Sequence, residues 1–533
     1  MRWKNMESRT KQYQKKTRDT RNNIYLFLKA AIIILACVAL ILIVAASFTN
    51  REFIGAIWEK PNVKTNSPGF MIGTICGTLV LLVGGKLLKK VDPRLVFKIF
   101  TILFAIAGIF MVFNMPATMN PGTDQEFIYH IANQMNHGNF HALRASQYLG
   151  IYPFQLGYVS FMRLLECFSM NIRFYYFVNL LLVILINYLL WKIVKLMAQE
   201  NNAAQNFTIM LSYAFLPQLL YIVFVYGNVP GLCAMLGAVY FGLRTLIDGK
   251  KYRYSWIGCL LLFIIAYQLK SNYQIAAAAL GIVYILQAIK QKRYWLIAMP
   301  FVIFAFFLGS NRAIKAAYEA ESGMKVQQGL PMITYVTMGT TKNTEKRAPG
   351  WFDEYTTKLY TKHDYEPAPT TKAAKKDLNK RMKYFAKHPD EMQKFFNDKF
   401  ISTWADPTFQ GIWVSPWHHK PKTEILQSVY YQNYHKQGKY EISWYKKSGK
   451  KIAAWCNFLV VAITFLALLY LVVTRTKIDW YSTFAILYLM GGMLFHLIWE
   501  TKSQYVFQYI ICLIPVAAMM IGKDMKSVKP SII

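Results

Sequence analysis

The chain has 533 residues, is 55% hydrophobic, and carries 61 Lys and Arg against 27 Asp and Glu, a formal charge of +34. A water-soluble globular protein this apolar would rarely be this basic. A polytopic membrane protein with Lys and Arg gathered in its cytoplasmic loops would be, so the charge points to a lipid bilayer as partner and not to nucleic acid.

In chain order, residues 1–23 form a basic N-terminus expected on the cytoplasmic side. The run "IYLFLKAAIIILACVALILIVAA" (Ile24–Ala46) is longer than a signal-peptide core and reads as a retained helix. A span needs roughly 20 apolar residues, and the sequence predicts twelve: 24–48, 70–86, 96–114, 173–194, 206–225, 230–246, 255–269, 273–289, 294–310, 452–473, 479–498 and 504–522. The links "GKLLKKVDPRLVFK", "WKIVKLMAQENN", "RTLIDGKKYRYS", "AIKQKRYW" and "TRTKIDW" and the tail "GKDMKSVK" all carry Lys or Arg, whereas "YGNVP" and "ETKSQ" are nearly neutral. That alternation predicts a cell-membrane, multi-pass protein with both termini cytoplasmic. It predicts that segment 115–172, the links 226–230, 270–274 and 500–504, and region 311–450 lie outside. The domain reading is 1–23 tail, 24–95 two additional spans, 96–310 a membrane module with its outer loop 115–172, 311–450 an outer, mainly helical domain, 451–522 the last spans, and 523–533 a cytoplasmic tail. No Cys falls between 310 and 450, so no disulfide framework is expected there.

"PGTDQEFIYHIANQMNHGN" (Pro121–Asn139) follows a predicted span directly. Phe127, Ile131 and Met135 recur every four residues, predicting a helix that lies in the interface with Asp124, Glu126, His130 and Gln134 off the apolar stripe. "YPFQLGYVSFMRLLECF" (Tyr152–Phe168) reads as a second interfacial or re-entrant helix, with Arg163 and Glu166 spaced for a local ion pair. In the outer region, "YEPAPTTKAAKK" (Tyr365–Lys376) reads as a loop. The stretch 377–404 reads as helix, break at Pro389, helix.

A lone carboxylate at the bilayer surface is enough to take the proton from an attacking hydroxyl when the leaving group is already a phosphate, and the phosphate needs fixed cations. Asp124 is the candidate base. Lys270 and Lys502, at outer helix ends, with Arg144 and His141 behind the Asp124 helix, are candidate phosphate-binding groups. Glu126, Tyr152, Gln155, His496 and Glu500 are candidates for supporting or acceptor-binding roles. Plainer readings stand beside these. Thr123 or Asp124 can serve as an N-cap, the lysines can reach out to headgroups, and His496 and Glu500, at i and i+4, can be a local hydrogen-bonded pair. No metal is assigned, because Asp124 and Glu126 point to different helix faces.

With "YLGIYPFQLGYVSFMRLL", "VYGNVPGLCAMLGAVYF", "AYQLKSNYQIAAAALGIVYIL" and "FHLIWETKSQYVFQYIICLIPVAA", the order of these segments over roughly 96–522 resembles the GT-C superfamily of polytopic glycosyltransferases. The nearest likeness is to bacterial relatives of the protein O-mannosyltransferase and aminoarabinose-transferase group. "PMITYVTMG", "APGWFDEYT" and "KFISTWADPTFQGIWVS" are similar to a Gram-positive subgroup of such proteins. The resemblance implies a GT-C-like bundle of about 12 helices with a carboxylate in the first outer loop. It implies a polyprenyl-phosphate sugar as donor and an outer glycan, wall polymer, lipid or protein as acceptor. It implies no cofactor in the branches most alike, although the oligosaccharide-transferring branch uses a divalent ion. Where such proteins often have Glu and then Arg-Tyr, this chain has Gln504-Tyr505, which leaves Lys502 as the nearest cation. The competing reading is a transporter or flippase of lipid-linked sugars. Against it stand few mid-helix charges and no related halves.

Overall fold

A computed structural model describes residues 2–54, 59, 61–247, 254–342, 347–416, 418–430 and 447–521, with the backbone alone for 2–19. Part of the link 244–255, residues 431–446 of the outer region, Trp417 and the tail 523–533 lie outside the described residues.

The chain is a helical, membrane-embedded protein. Among the described residues eight helices are long and apolar enough to cross a bilayer: Thr20–Thr49, Pro68–Lys90, Pro93–Asn114, Ile172–Met197, Ser271–Gln291, Tyr294–Ser322, Lys447–Lys477 and Trp480–Ile498. A ninth is possible if Asn202–Ala214 and Pro217–Val223, bent by 48° at their break, count as one. The other expected spans are helices of only 15 to 17 residues: Asn228–Arg244, Ser255–Leu269 and Phe507–Ile521. At about 1.5 Å per residue, such helices fall short of a hydrocarbon layer of about 30 Å. Among the described residues eight crossings, or nine with the bent pair, meet the length and composition of a span, and the count of twelve is not confirmed. Asn228–Arg244 and Phe507–Ile521 are buried on nearly every side and act as bundle core. Helix starts follow their caps, with Asp92, Asn171 and Asp479 accepting from the N–H of Arg94, Arg173 and Ser482.

The hairpin, the segment after Asn114 and region 311–450 meet at one end of the bundle. A hairpin pairs Asn50–Ile54 with Pro61–Thr65, Glu52 opposite Val63. Glu52 N–H donates to Ala405 O at 2.9 Å. Asn120 donates to the carbonyls of Trp413 and Ser415, and Gln125 to that of Val414. Loop, hairpin and outer region are thus stitched together. The helices of region 311–450 are Met332–Met338, Tyr355–Lys362, Pro367–Lys387, Pro389–Trp404 and Glu424–Tyr430. The break at Pro389 is where the sequence places it. The expected loop 365–376 is instead mostly helix. Pro367 stands at the first helical position, where its missing N–H costs nothing, so it starts the helix.

Two further expectations change. The buried stripe of Asp124–Asn136 is Gln125, Ile128, Ile131, Ala132 and Met135; Phe127 is exposed and stacks on Tyr148 at 5.5 Å. Arg163 does not pair with Glu166. It forms a two-pronged bridge to Glu321 at 2.6 and 2.8 Å, while Glu166 accepts from Asn133 and Asn136. The reason is geometric: a guanidinium fork prefers a carboxylate it can face squarely, and Glu321 on a neighbouring helix offers that.

The turn after Trp404 plunges into the bundle. Phe409 and Gln410 adopt left-handed backbone angles (φ +51° and +59°). Asp406 holds them there, accepting from Thr408 N–H and Oγ1, Gln410 N–H and Ser503 Oγ at 2.6 to 2.9 Å. Removing it strands four buried donors. Asp406→Ala should therefore lower unfolding free energy by about 3 kcal/mol or more, against less than about 1 kcal/mol for Ala at exposed Asp390, measured by denaturant or thermal unfolding in detergent.

Candidate functional site

Asp124 is the first residue of its helix, and Thr123 occupies the cap position without capping: its hydroxyl turns back to Asn120 O at 2.6 Å. Glu126 accepts from Gly122 N–H at 2.6 Å and closes the preceding turn. The Asp124 carboxylate is thereby left for tertiary partners. Oδ1 accepts from Tyr148 OH at 3.0 Å, and Oδ2 stands 3.5 Å from Tyr226 OH. Gln155 Nε2 donates to the Tyr226 oxygen at 2.6 Å, which leaves the phenol's own proton for Asp124. Tyr152 packs on Tyr148, ring centroids 5.1 Å apart.

Lys270 follows the last turn of Ser255–Leu269 in an extended conformation. Its Nζ donates to Asn228 Oδ1 at 2.6 Å and lies 5.4 and 5.2 Å from the Tyr226 and Tyr505 ring centroids. Asn228 is oriented by a second bond, to Gln504 O. Loop 499–505 supplies the third side. Tyr505 OH reaches Glu500 Oε1 at 3.4 Å, and Lys502 Nζ bonds Glu59 Oε2 at 2.7 Å. The same Glu59 oxygen is 3.5 Å from Arg347, and its other oxygen accepts from Gln410 at 2.7 Å. Arg347 also borders a separate hollow of about 180 Å³ beside Pro61, Val63 and Asp398, which shares no lining residue with Asp124.

Asp124 is open to solvent by surface area, yet desolvation is the largest influence on it and pushes its carboxyl up. Both hold for a carboxylate that solvent reaches but that Tyr148, Tyr226 and neighbouring charges crowd. Lys502 and the Tyr148 hydrogen bond pull the other way, and Glu59 adds to the rise. Burial lowers Lys270 to about 7, opposed by the charges of Asp124 and Glu500, and raises Glu500 to about 7. Asp124, Lys270, Glu500 and Lys502 thus feel one another's fields.

Of the residues singled out in the sequence, the fold brings together Asp124, Lys270, Lys502, Tyr152, Gln155 and Glu500. Glu126 shapes the loop. His141 and Arg144 sit on an exposed turn, and among the described residues no side-chain hydrogen bond or ion pair ties them to this cluster. His496 is buried in the last turn of its helix with Nε2 3.5 Å from Tyr509 OH. It is not bonded to Glu500, because Trp499 ends the helix before the spacing can bring them face to face. Residues that sequence reasoning passed over are Tyr148, Tyr226, Asn228, Tyr335, Tyr505 and Glu59. The only local signal was polar and aromatic character in the short outer links. Among the described residues no group of three or more His, Cys, Asp or Glu is placed to hold a metal ion. No family model, curated protein or solved structure matches the chain.

Glu500 provides a pH test. Its folded value of about 7 lies above the ordinary 4.5. Between those values the folded protein keeps a proton that the unfolded chain has lost. Stability from this group is therefore full below about pH 4.5 and is lost as pH rises through about 7. Lys270, lowered from 10.5 to about 7, acts above that window. Unfolding midpoints between about pH 5 and about pH 7 should fall more steeply in the wild type than in Glu500→Gln, by roughly 2–3 kcal/mol in total.

Proposed function

We propose that the protein is a membrane glycosyltransferase of GT-C type that moves a sugar from a polyprenyl-phosphate donor to an acceptor hydroxyl outside the cell, with Asp124 as general base. The observation that carries this reading is the setting of Asp124. It is a solvent-reached carboxylate aimed by two phenols, with a lysine that has no carboxylate partner among the described residues in its field.

The chemistry follows from those parts. The acceptor oxygen attacks the anomeric carbon and the carbon–oxygen bond to phosphate breaks. The hydroxyl proton passes to Asp124, and the polyprenyl phosphate leaves with the bonding pair. A desolvated carboxyl with a raised pKa is a stronger base than an ordinary one, and Tyr148 and Tyr226 fix its orientation. Lys270 spends one N–H on Asn228 and keeps two for phosphate oxygens. Lys502 is already paired with Glu59, so it shapes the field more than it offers a free cation. Among the sequence candidates for phosphate binding, Lys270 is the one this reading retains at the reacting centre.

Asp124→Asn should leave expression, insertion and melting near wild type and lower transfer from a polyprenyl-phosphate sugar by about 10²–10⁴-fold. Lys270→Met should weaken inhibition by polyprenyl phosphate. Undiminished product from Asp124→Asn would remove the proposal.

A further inference from the structure

The outer region does more than cover the cavity. It holds, residue by residue, the loop that carries Glu500 and Lys502. Glu500 N–H donates to Tyr335 O at 3.2 Å and Thr501 N–H to Gly350 O at 3.0 Å. Thr403 Oγ1 lies 3.3 Å from Thr501 Oγ1, Ser503 Oγ donates to Asp406, and Gln504 N–H reaches Gln410 Oε1 at 3.4 Å. At the root of the loop stands Lys399, on helix Pro389–Trp404 and 1% exposed. Its Nζ donates to Gly339 O at 2.6 Å, Trp499 O at 2.8 Å and Leu497 O at 3.0 Å.

Three carbonyl oxygens, acceptors only, match the three N–H donors of an ammonium. Two of them, Leu497 and Trp499, end the helix Trp480–Ile498, where the backbone oxygens have no partner in the helix and the dipole favours a cation. Two glycines make the room. A Cβ on Gly350 (φ +69°) would stand 2.7 Å from Lys399 Cε, and one on Gly339 would stand 2.4 Å from Ile498 O. A buried ammonium is costly to place, so its full satisfaction at one backbone junction marks that junction as tightly specified.

We propose that Lys399 is a positioning residue: the outer region uses its ammonium to fix where the helix ends and so to set Glu500 and Lys502 at the mouth of the Asp124 cavity. For its catalytic consequence this rests on the glycosyl-transfer reading; for the geometry it does not. The carbonyl ends of two structural units, the 332–338 helix and the 480–498 helix, are tied by one side chain from a third. Loss of that tie lets the loop swing at Trp499 while both helices persist.

The test uses the full-length protein in lipid nanodiscs, with Lys399→Met, Lys399→Arg and, as a milder cut at the same junction, Thr403→Val. Amide hydrogen exchange at Glu500 and Thr501 should speed up about tenfold or more in Lys399→Met, less in Thr403→Val, and return towards wild type in Lys399→Arg, whose guanidinium can also serve carbonyls. Amides in helix Lys447–Thr474 should stay unchanged. Turnover of a polyprenyl-phosphate sugar should fall about 10–100-fold in Lys399→Met with KM little altered, as expected for misplacement of groups and not loss of binding. If Lys399→Met fails to fold, the exchange in Thr403→Val decides alone. Unchanged exchange at Glu500 and Thr501 in the folded variants overturns the proposal. If the wild type transfers no sugar, the functional reading fails while the exchange result still decides the role of Lys399.

Discussion

The buried carboxylate of Asp406 is where the outer chain and the membrane bundle become one object. Four donors converge on it, one of them Ser503 from the loop beside the cavity. The turn it stabilises sends Phe409 against Phe215 and Phe507 and lets Tyr221 donate to Phe409 O at 2.7 Å. The next side chain, Gln410, holds Glu59 of the hairpin with its amide nitrogen and Gln504 with its oxygen. Without an acceptor at position 406, left-handed angles at two bulky residues would be hard to sustain in the interior.

That anchoring explains how the cavity mixes charges at low dielectric. Asp124, Glu59 and Glu500 face Lys270 and Lys502, and desolvation is the leading influence on Asp124, Lys270 and Glu500. Glu59 and Lys502 offset part of each other's desolvation by pairing at 2.7 Å. Lys270 is different, having a neutral amide and two ring faces as partners. On the proposed reading an anionic substrate completes its coordination. Glu52, by contrast, is fully buried with neither oxygen hydrogen-bonded among the described residues, and burial, with Asp406 adding to it, pushes its carboxyl well above the ordinary range.

Much of the bundle was legible because a span needs little but length and apolar character. The helix positions came through, and the count is unconfirmed at the short buried helices, which hydropathy alone cannot tell from full spans when their neighbours bury them. The loop after the third predicted span drew notice because a carboxylate and polar side chains there break the apolar rule. The partners were not legible. Lys502 meets Glu59 443 residues away, and Tyr226 meets Asp124 across 102. No periodicity connects such pairs, and the hairpin strands are too short to announce themselves. The local rules misled where tertiary contacts outbid them. Arg163 and Glu166 were spaced for each other yet chose partners elsewhere, and the stretch 365–376 read as a loop while Pro367 opened a helix there.

The first helix runs unbroken from Arg2 to Thr49 and hands directly into the hairpin at Asn50. Forty-eight residues at about 1.5 Å each make a shaft of about 70 Å, far longer than a bilayer is thick. One end is the basic arm, and the other ends beside the strand that leads to Glu59, the counter-ion of Lys502. One continuous run of backbone hydrogen bonds therefore joins that arm to the strand beside the partner of Lys502, so the two ends share a single element.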